Sequence, residues 1–589
     1  MAGSVHELVA IHGLVLAMRS VSRAPHCLIV ILLLATSGSC NAGQTVLVPD
    51  HPDEPVKPLA GLLWQSDLGN GLYKNPVLFA DYSDPDVVAV GNDFFMTASS
   101  FNSAPGLPIL HSTDLVNWTL LGHALEKLVP EDVFNVPQHG NGVWAPNIRY
   151  HDGKVWIFYP DPDFGIYMTQ TEDPKIGVWT APLLILPGKG LIDPTPLWDD
   201  DGKAWLLHAW AKSRSGKNNI LTLHRMSWNG TKVEEDGKVI IDGHKLPGYR
   251  TLEGPKFYKR NGFYYIFAPA GGVPVGWQAV FRSEKIEGPY AYRTVLEQGN
   301  TLVNGPHQGA WIKTPNGEDW FFHFQSRLAY GRIVHLQPMK WLDDWPVIGG
   351  DSNADGIGNP VSTHRKPCIK TASGNHSQIA APLSSDDFDQ DDIGLQWQWN
   401  ANPHDGWYSM SERPGYLRFY AQPQPEPDTG NMWSMPSLML QKIPAPRFMA
   451  EVILEIPQNT GDLDTGLIMF GEDYAWIGVK HDSLSGETVI GYAGCINART
   501  GCQEEFIEEK ALDAHTITLR MTVSDGGGTV FSYQEGDNRP KSIGDLFQAR
   551  PGRWVGAKVG LFARTNEMSQ GSSAPYADFQ SIRFFRPQE

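Results

Sequence analysis

The sequence predicts an all-β protein, a five-bladed β-propeller followed by an antiparallel β-sandwich. Three observations carry this. The 589-residue chain is rich in Gly (60), Pro (44) and Trp (20), a composition that suits short strands joined by tight turns. A degenerate phrase recurs five times in the first half. Beyond Asp386, apolar and polar residues alternate with the period of a strand.

The repeated phrase places Gly three residues before an aromatic. It reads "HDGKVW" to Trp156, "DDGKAW" to Trp205, "RNGFYY" to Tyr265 and "PNGEDW" to Trp320. A fifth copy, "VGNDFF" to Phe95, has Asn92 in the Gly slot. Each copy predicts a tight hairpin turn followed by a strand, with Asn92 expected to take the positive φ that Asn tolerates. The aromatics stand 61, 49, 60 and 55 residues apart, the length of a propeller blade. Runs such as "KVWIFYP" and "FYYIFAP" are compact buried strands.

A second phrase lies upstream of each turn at a near-constant interval. In order these are "SDPDV", "WAPNI", "IDPTP", "LEGPK" and "NGPHQ". Equivalent positions on successive blades form a ring around the axis. Asp84, Asp193, Glu253 and His307 should therefore converge on one pocket, with Trp144 nearby. A single such acid reads as a turn former. Three acids in register read as chemistry, because gathered carboxylates are costly to desolvate. In "GLIDPTPLWDDDGKAW", Asp193 belongs to this ring, while Asp199, Asp200 and Asp201 are read as solvated turn residues. Asp86 competes with Asp84. Asp84 is preferred because it precedes Pro, as Asp193 does. His208, His323 and His335 are read as packing or hydrogen-bonding residues. Facing carboxylates are the machinery of glycoside hydrolysis, one ionised and one protonated. Phe101 and Trp144 would offer apolar faces to a sugar.

The stretches "NPVLFADYSDPDVVAVGNDFFMTASSF", "GVWAPNIRYHDGK", "IDPTPLWDDDGKAW" and "LEGPKFYKRNGFYYIFAPAGG" resemble glycoside hydrolase family 43, of the β-xylosidase and α-L-arabinofuranosidase type. The resemblance covers Leu63 to Gly350. It implies an inverting mechanism, with Asp84 as general base, Glu253 as general acid and Asp193 tuning that acid. It also implies that His307 lies near the pocket floor, in some members linked to a central ion through water, and that Arg332 contacts substrate. "DDFDQDDIGLQWQW" and "ADFQSIRFF" resemble the concanavalin A-like C-terminal domain of family 43 β-xylosidases, a jelly-roll sandwich.

The remaining segments complete the organisation. Residues 1–42 read as a secretory signal, with Arg19 and Arg23 before the apolar "CLIVILLLA". The propeller takes 63–350, a polar linker 351–385 and the sandwich 386–589. In the sandwich, Phe448, Ala450, Val452, Leu454 and Ile456 should face one way, as should Ile517, Leu519, Met521 and Val523. "GGDSNADGIGNP" opens like a calcium loop, but Ser362 stands where a bidentate acid is needed. No catalytic metal or cofactor is expected, and Ca2+ only as a structural ion. Cys495 and Cys502 flank a short loop and suit a disulfide in an oxidising compartment, leaving Cys368 over. Sequons at Asn117, Asn229 and Asn375 fit a secreted chain. The net charge of −18 argues against nucleic acid and anionic membrane. The reading is a secreted inverting exo-glycosidase. Its targets are terminal β-D-xylosyl or α-L-arabinofuranosyl residues of plant cell-wall polysaccharide or its oligosaccharides. The alternatives are a non-catalytic carbohydrate-binding propeller and a retaining fructosidase-type hydrolase. The latter's Asn-Asp-Pro-Asn, Arg-Asp-Pro and Glu-Cys signatures do not stand at these positions.

Overall fold

The computed structural model describes residues 61–234, 236–369, 378–425, 431–456, 461–512, 514–566 and 574–587. The leader reading and the Asn375 sequon lie outside them. Five four-stranded antiparallel sheets follow one another, each a simple meander. Their inner strands are Asp86–Val90, Asn147–His151, Leu191–Trp198, Lys256–Arg260 and His307–Lys313, in blades 1 to 5. The second strands carry the repeat aromatics and are almost continuously buried, as in Lys154–Asp161 and Phe263–Ala270. Both faces of a blade are covered by its neighbours, so these strands do not alternate.

The hairpin turns fall where the repeat places them, with one difference. Asp152 and Gly153 both have positive φ, as do Asn261 and Gly262. In blade 1 the positive φ sits on Gly91 (62°) instead of Asn92. Val90 pairs with Asp93, so Gly91 is the first of two turn residues. A glycine there relieves Asn92 of the strained conformation.

The ring is closed by the segment ahead of blade 1. Leu78 bridges to Val334 of blade 5, and the Tyr73 hydroxyl and Asn75 amide both donate to the Leu336 carbonyl at 2.8 Å. Past blade 5, Thr363–Arg365 pairs with Leu72–Lys74, so the connecting segment doubles back on the propeller. Its Asp351 carboxylate accepts the Asp355 and Gly356 amides, and Asn353 donates to Asp355. The loop thus satisfies its own acids.

The second half packs an eight-stranded sheet on a seven-stranded one. Strand Phe448–Glu455 alternates buried and half-buried residues along its length, and Thr516–Val523 beside it alternates too, starting from an exposed Thr516, the pattern of a one-sided sheet. Phe79, Ala329, Tyr330 and Ile333 of the propeller belong to the sandwich's own core. The Trp399 and Ala104 backbones exchange hydrogen bonds, and the Asn402 side chain pairs with the Leu128 backbone at 2.7 and 2.9 Å.

Of three side readings, two change and one holds. Asn117 is buried, and its amide donates to Asp67 and Asp114, so that sequon is closed to modification in the folded protein, whereas Asn229 is exposed. Cys495 and Cys502 form a disulfide with Cα atoms 6.0 Å apart. Cys368, read as left over, is also disulfide-bonded.

Candidate active site

The polar ring sits where each inner strand begins, and the backbone is distorted there. Asp84 and Asp193 share φ 54°, a left-handed conformation that Asp tolerates better than most residues. In blade 3 it coincides with a register shift between Ile192 and Thr195. Blade 5 repeats the shift between His307 and Gly309, with Gln308 at φ 35°. Blade 4 places Gly254 at φ 58° directly after Glu253. Bulges of this kind re-aim a side chain at the end of a sheet.

Asp84 is buried, and most of its hydrogen bonds fall on one oxygen. The Ser83 and Ser99 hydroxyls donate to its Oδ2 at 2.7 and 2.6 Å. The Arg332 guanidinium donates to both oxygens, at 3.1 and 3.0 Å. Asp86 faces elsewhere: its Oδ2 accepts the Ile148 amide and the Arg149 guanidinium of blade 2 and lies 3.6 Å from Lys256 Nζ. The positive φ at Asp84 separates two acids that simple alternation would put on one face.

Asp193 Oδ2 accepts the Gly254 amide at 2.7 Å, which sets it beside Glu253. Burial, then the charges of Glu253 and Asp84, push its carboxyl up to about 7, against the Gly254 hydrogen bond and the Lys256 charge. Glu253 keeps access to solvent, with a side chain 25% exposed, and its Oε1 lies 3.1 Å from His307 Nε2. His307 Nδ1 is buried with no protein partner.

Lys256, which the sequence reading passed over, is buried beneath the ring and donates to the Pro146 carbonyl at 2.9 Å. Burial lowers its pKa, while Asp86, Asp193 and Asp84 act to raise it. Its signal was present: it closes "LEGPK", a lone cation in the phase of the acids. Asp199 is a correction. It is buried, accepts the Tyr264 hydroxyl at 2.5 Å and pairs with Lys259, so it clamps blade 3 to blade 4. Asp200 and Asp201 are in solvent. His208 and His224 pair at 3.1 Å, and His323 stacks on His335 at 5.1 Å, all within the blades.

One wall is aromatic. Phe101 is buried and packs 6.3 Å from the half-buried Trp144. The Trp144 indole donates to the Gly140 carbonyl, and Arg214 lies over its ring at 5.4 Å. Trp554 of the sandwich meets Trp144 edge-on at 6.3 Å. It rides on the loop between strands Lys541–Gln548 and Lys558–Thr565. That loop is anchored where the Gly556 amide donates to Asp81 at 2.8 Å, and the other Asp81 oxygen accepts the Arg332 amide at 2.8 Å. Nothing in the local sequence marks Trp554 or Asp81 as part of the site. Among the described residues, no group of three or more His, Cys, Asp and Glu is placed to hold a metal ion.

Carboxyls gathered at the head of the inner strands, one retaining its proton into the neutral range, beside tryptophan, make this a glycoside hydrolase site. Comparison with known proteins agrees. The profile of glycosyl hydrolases family 43 matches residues 73–346, and that of the β-xylosidase C-terminal concanavalin A-like domain matches 385–584. A protein of Xylanibacter ruminicola, whose name proposes a β-xylosidase, is 34% identical over 501 residues, 84% of this chain and 86% of its own. A non-reducing end α-L-arabinofuranosidase of Bacteroides ovatus is 30% identical over 377 residues, 60% of this chain and 66% of its own. The crystal structure of a family 43 protein from Bacillus licheniformis superposes with a TM-score of 0.73 at 25% identity, over 88% of this chain and all of that one. The chain belongs to glycoside hydrolase family 43. Membership sets aside the non-catalytic and fructosidase readings.

Proposed function

We propose that this enzyme is a secreted, inverting exo-glycosidase. It removes terminal β-D-xylosyl or α-L-arabinofuranosyl residues from hemicellulose or its oligosaccharides. The observation that carries the reading is the Asp193–Glu253 pair. Burial and the neighbouring charge of Glu253 push the Asp193 carboxyl up to about 7, while Asp84 is fixed by Arg332 in the same ring. The two sugars are those in the names of the relatives, and both remain candidates.

In this mechanism Asp84 accepts a proton from water as the water oxygen bonds to the anomeric carbon. The glycosidic C–O bond breaks on the opposite face, and its oxygen takes the proton of Glu253. Asp193 tunes that acid, because the Gly254 amide holds it beside Glu253, where negative charge on one carboxyl disfavours charge on the other. Arg332 orients Asp84 and contacts the sugar, Trp144 with Phe101 walls it, and His307 positions Glu253. The proton transfers run through side chains, so no cofactor is required. An ion met through water at His307 Nδ1 would add positive potential beneath the carboxylates. The loop carrying Trp554 narrows the site towards a pocket, which favours chain ends. The leader pattern and the Cys495–Cys502 disulfide support an extracellular location.

The test is a paired assay on aryl β-xyloside and aryl α-L-arabinofuranoside, with NMR of the first-formed anomer. Release of pentose with inverted configuration is expected. Retention would overturn the mechanism, and inactivity on both substrates the specificity.

A further inference from the structure

Beside the aromatic wall lies a cavity of about 260 Å³. It is lined by Gln138, His139 and Asn141 of the propeller and by Trp433, Arg499 and Arg553 of the sandwich. It adjoins the wall directly. Gly140, whose carbonyl holds the Trp144 indole, is packed against the Arg553 and Trp554 side chains. Asn141 Oδ1 accepts from Arg214, the cation over Trp144, at 2.6 Å.

The lining is cationic in a protein of net charge −18. Two guanidiniums line the cavity and no carboxylate does. Arg553 has no ion-pair partner among the described residues, and its guanidinium lies over the Trp554 ring at 4.5 Å. Arg499 reaches Glu472 at 3.5 Å with a half-exposed side chain, a weak pairing. The Cys495–Cys502 disulfide spans the Ala498–Thr500 turn that presents Arg499. The other polar groups suit hydroxyls. His139 stacks on Trp433 at 3.6 Å, and its Nε2 meets the Trp433 carbonyl at 2.7 Å. A carbonyl only accepts, so Nε2 carries the hydrogen and Nδ1 is left as an acceptor. Gln138 and Asn141 add amides.

We propose that this cavity is a leaving-side subsite for a sugar unit bearing a carboxylate, a uronosyl residue or substituent of hemicellulose. The carboxylate would be taken by Arg553 and Arg499, the hydroxyls by His139, Gln138 and Asn141. The proposal rests on the pentosidase reading and names the substrate class within it.

The test compares xylo-oligosaccharides with and without a glucuronosyl substituent next to the scissile bond, by kcat/KM and by calorimetric binding. Wild type, Arg553→Gln, Arg499→Gln and the double variant are used. Charge-assisted pairing predicts that wild type favours the substituted substrate by about tenfold or more, mainly in KM. The preference should weaken with salt and vanish in the double variant. Activity on an aryl pentoside, whose leaving group offers the arginines no carboxylate, should be unchanged by Arg499→Gln. No preference in wild type, or a preference that survives in the double variant, overturns the subsite. Sodium sulfate competing as well as glucuronate would also overturn it, in favour of unselective anion binding. If aryl pentosides are not cleaved but arginine-dependent binding of the substituted oligosaccharide persists, the subsite stands and the pentosidase reading falls.

Discussion

The Gly254 amide donates to the Asp193 carboxylate at 2.7 Å, and this one bond sets the acid of blade 3 against Glu253 of blade 4. The arrangement has a measurable cost. Asp193 is pushed up to about 7 in the fold, from an ordinary value near 4. The folded state therefore holds more protons than the unfolded state between those values. Stability from this group is complete below about pH 4 and is lost as pH rises towards about 7. Asp193→Asn removes that loss. Its melting temperature relative to wild type should climb by several degrees from pH 4 to 7.5, while the pH optimum for turnover shifts and narrows. Calorimetry across that range checks the first effect. A variant with full activity at every pH would remove Asp193 from the mechanism.

Asp84→Asn and Glu253→Gln should each lower kcat by about 10²–10⁴-fold, but with different substrate dependence. Loss of the acid matters most when the leaving group is poor. Glu253→Gln should therefore keep far more activity on a nitrophenyl pentoside than on xylobiose. Asp84→Asn should lose both alike. Equal losses for Glu253→Gln on the two substrates would reassign the acid.

Asp199→Asn tests the correction at the third blade. Burial would raise this carboxyl, but the hydrogen bonds from Lys259 and Tyr264 outweigh it and hold it low. Its contribution is present above about pH 4 and lost as pH falls through its folded value. The variant should lose about 1–3 kcal/mol at neutral pH, with kcat unchanged. A chemical denaturation series at pH 7 and pH 3 should show a larger difference at pH 7 than at pH 3.

At the domain interface, Lys558 is buried, and burial followed by the charge of Lys442 lowers it to about 7. Its ammonium donates to Ser103 at 2.6 Å. An ammonium buried in this way destabilises the fold, and the penalty fades as pH rises from about 7 towards the ordinary value near 10. Lys558→Met should therefore raise the melting temperature most at pH 6 and least at pH 10. A variant less stable than wild type at pH 6 would show that the Ser103 hydrogen bond outweighs the buried charge.

Much of this was written along the chain. The repeat is visible because every blade needs a turn residue and an aromatic at the same place, so Asp84, Asp193, Glu253 and His307 could be put in register before any coordinates. Alternation at Phe448 to Ile456 was equally legible, since one face of a sandwich strand is covered and the other is not. Asp199 was misread because a turn acid and a buried clamp look alike until Lys259 and Tyr264 of the next blade arrive beside it. Asn92 was misread by one residue because either turn position can carry the positive φ.

What the sequence determined by itself is the period of the fold and the shared phase of Asp84, Asp193, Glu253 and His307, both properties of local spacing. What only the tertiary structure decided is which acids touch. Asp84 turned away from Asp86 through a positive φ, Asp193 was tied to blade 4, and Asp81 joined Arg332 to Gly556, 475 residues further on. Trp554 came to the pocket wall from the other domain. Such contacts depend on how blades and domains close on one another, and no nearest-neighbour pattern along the chain encodes the side chain that will stand opposite.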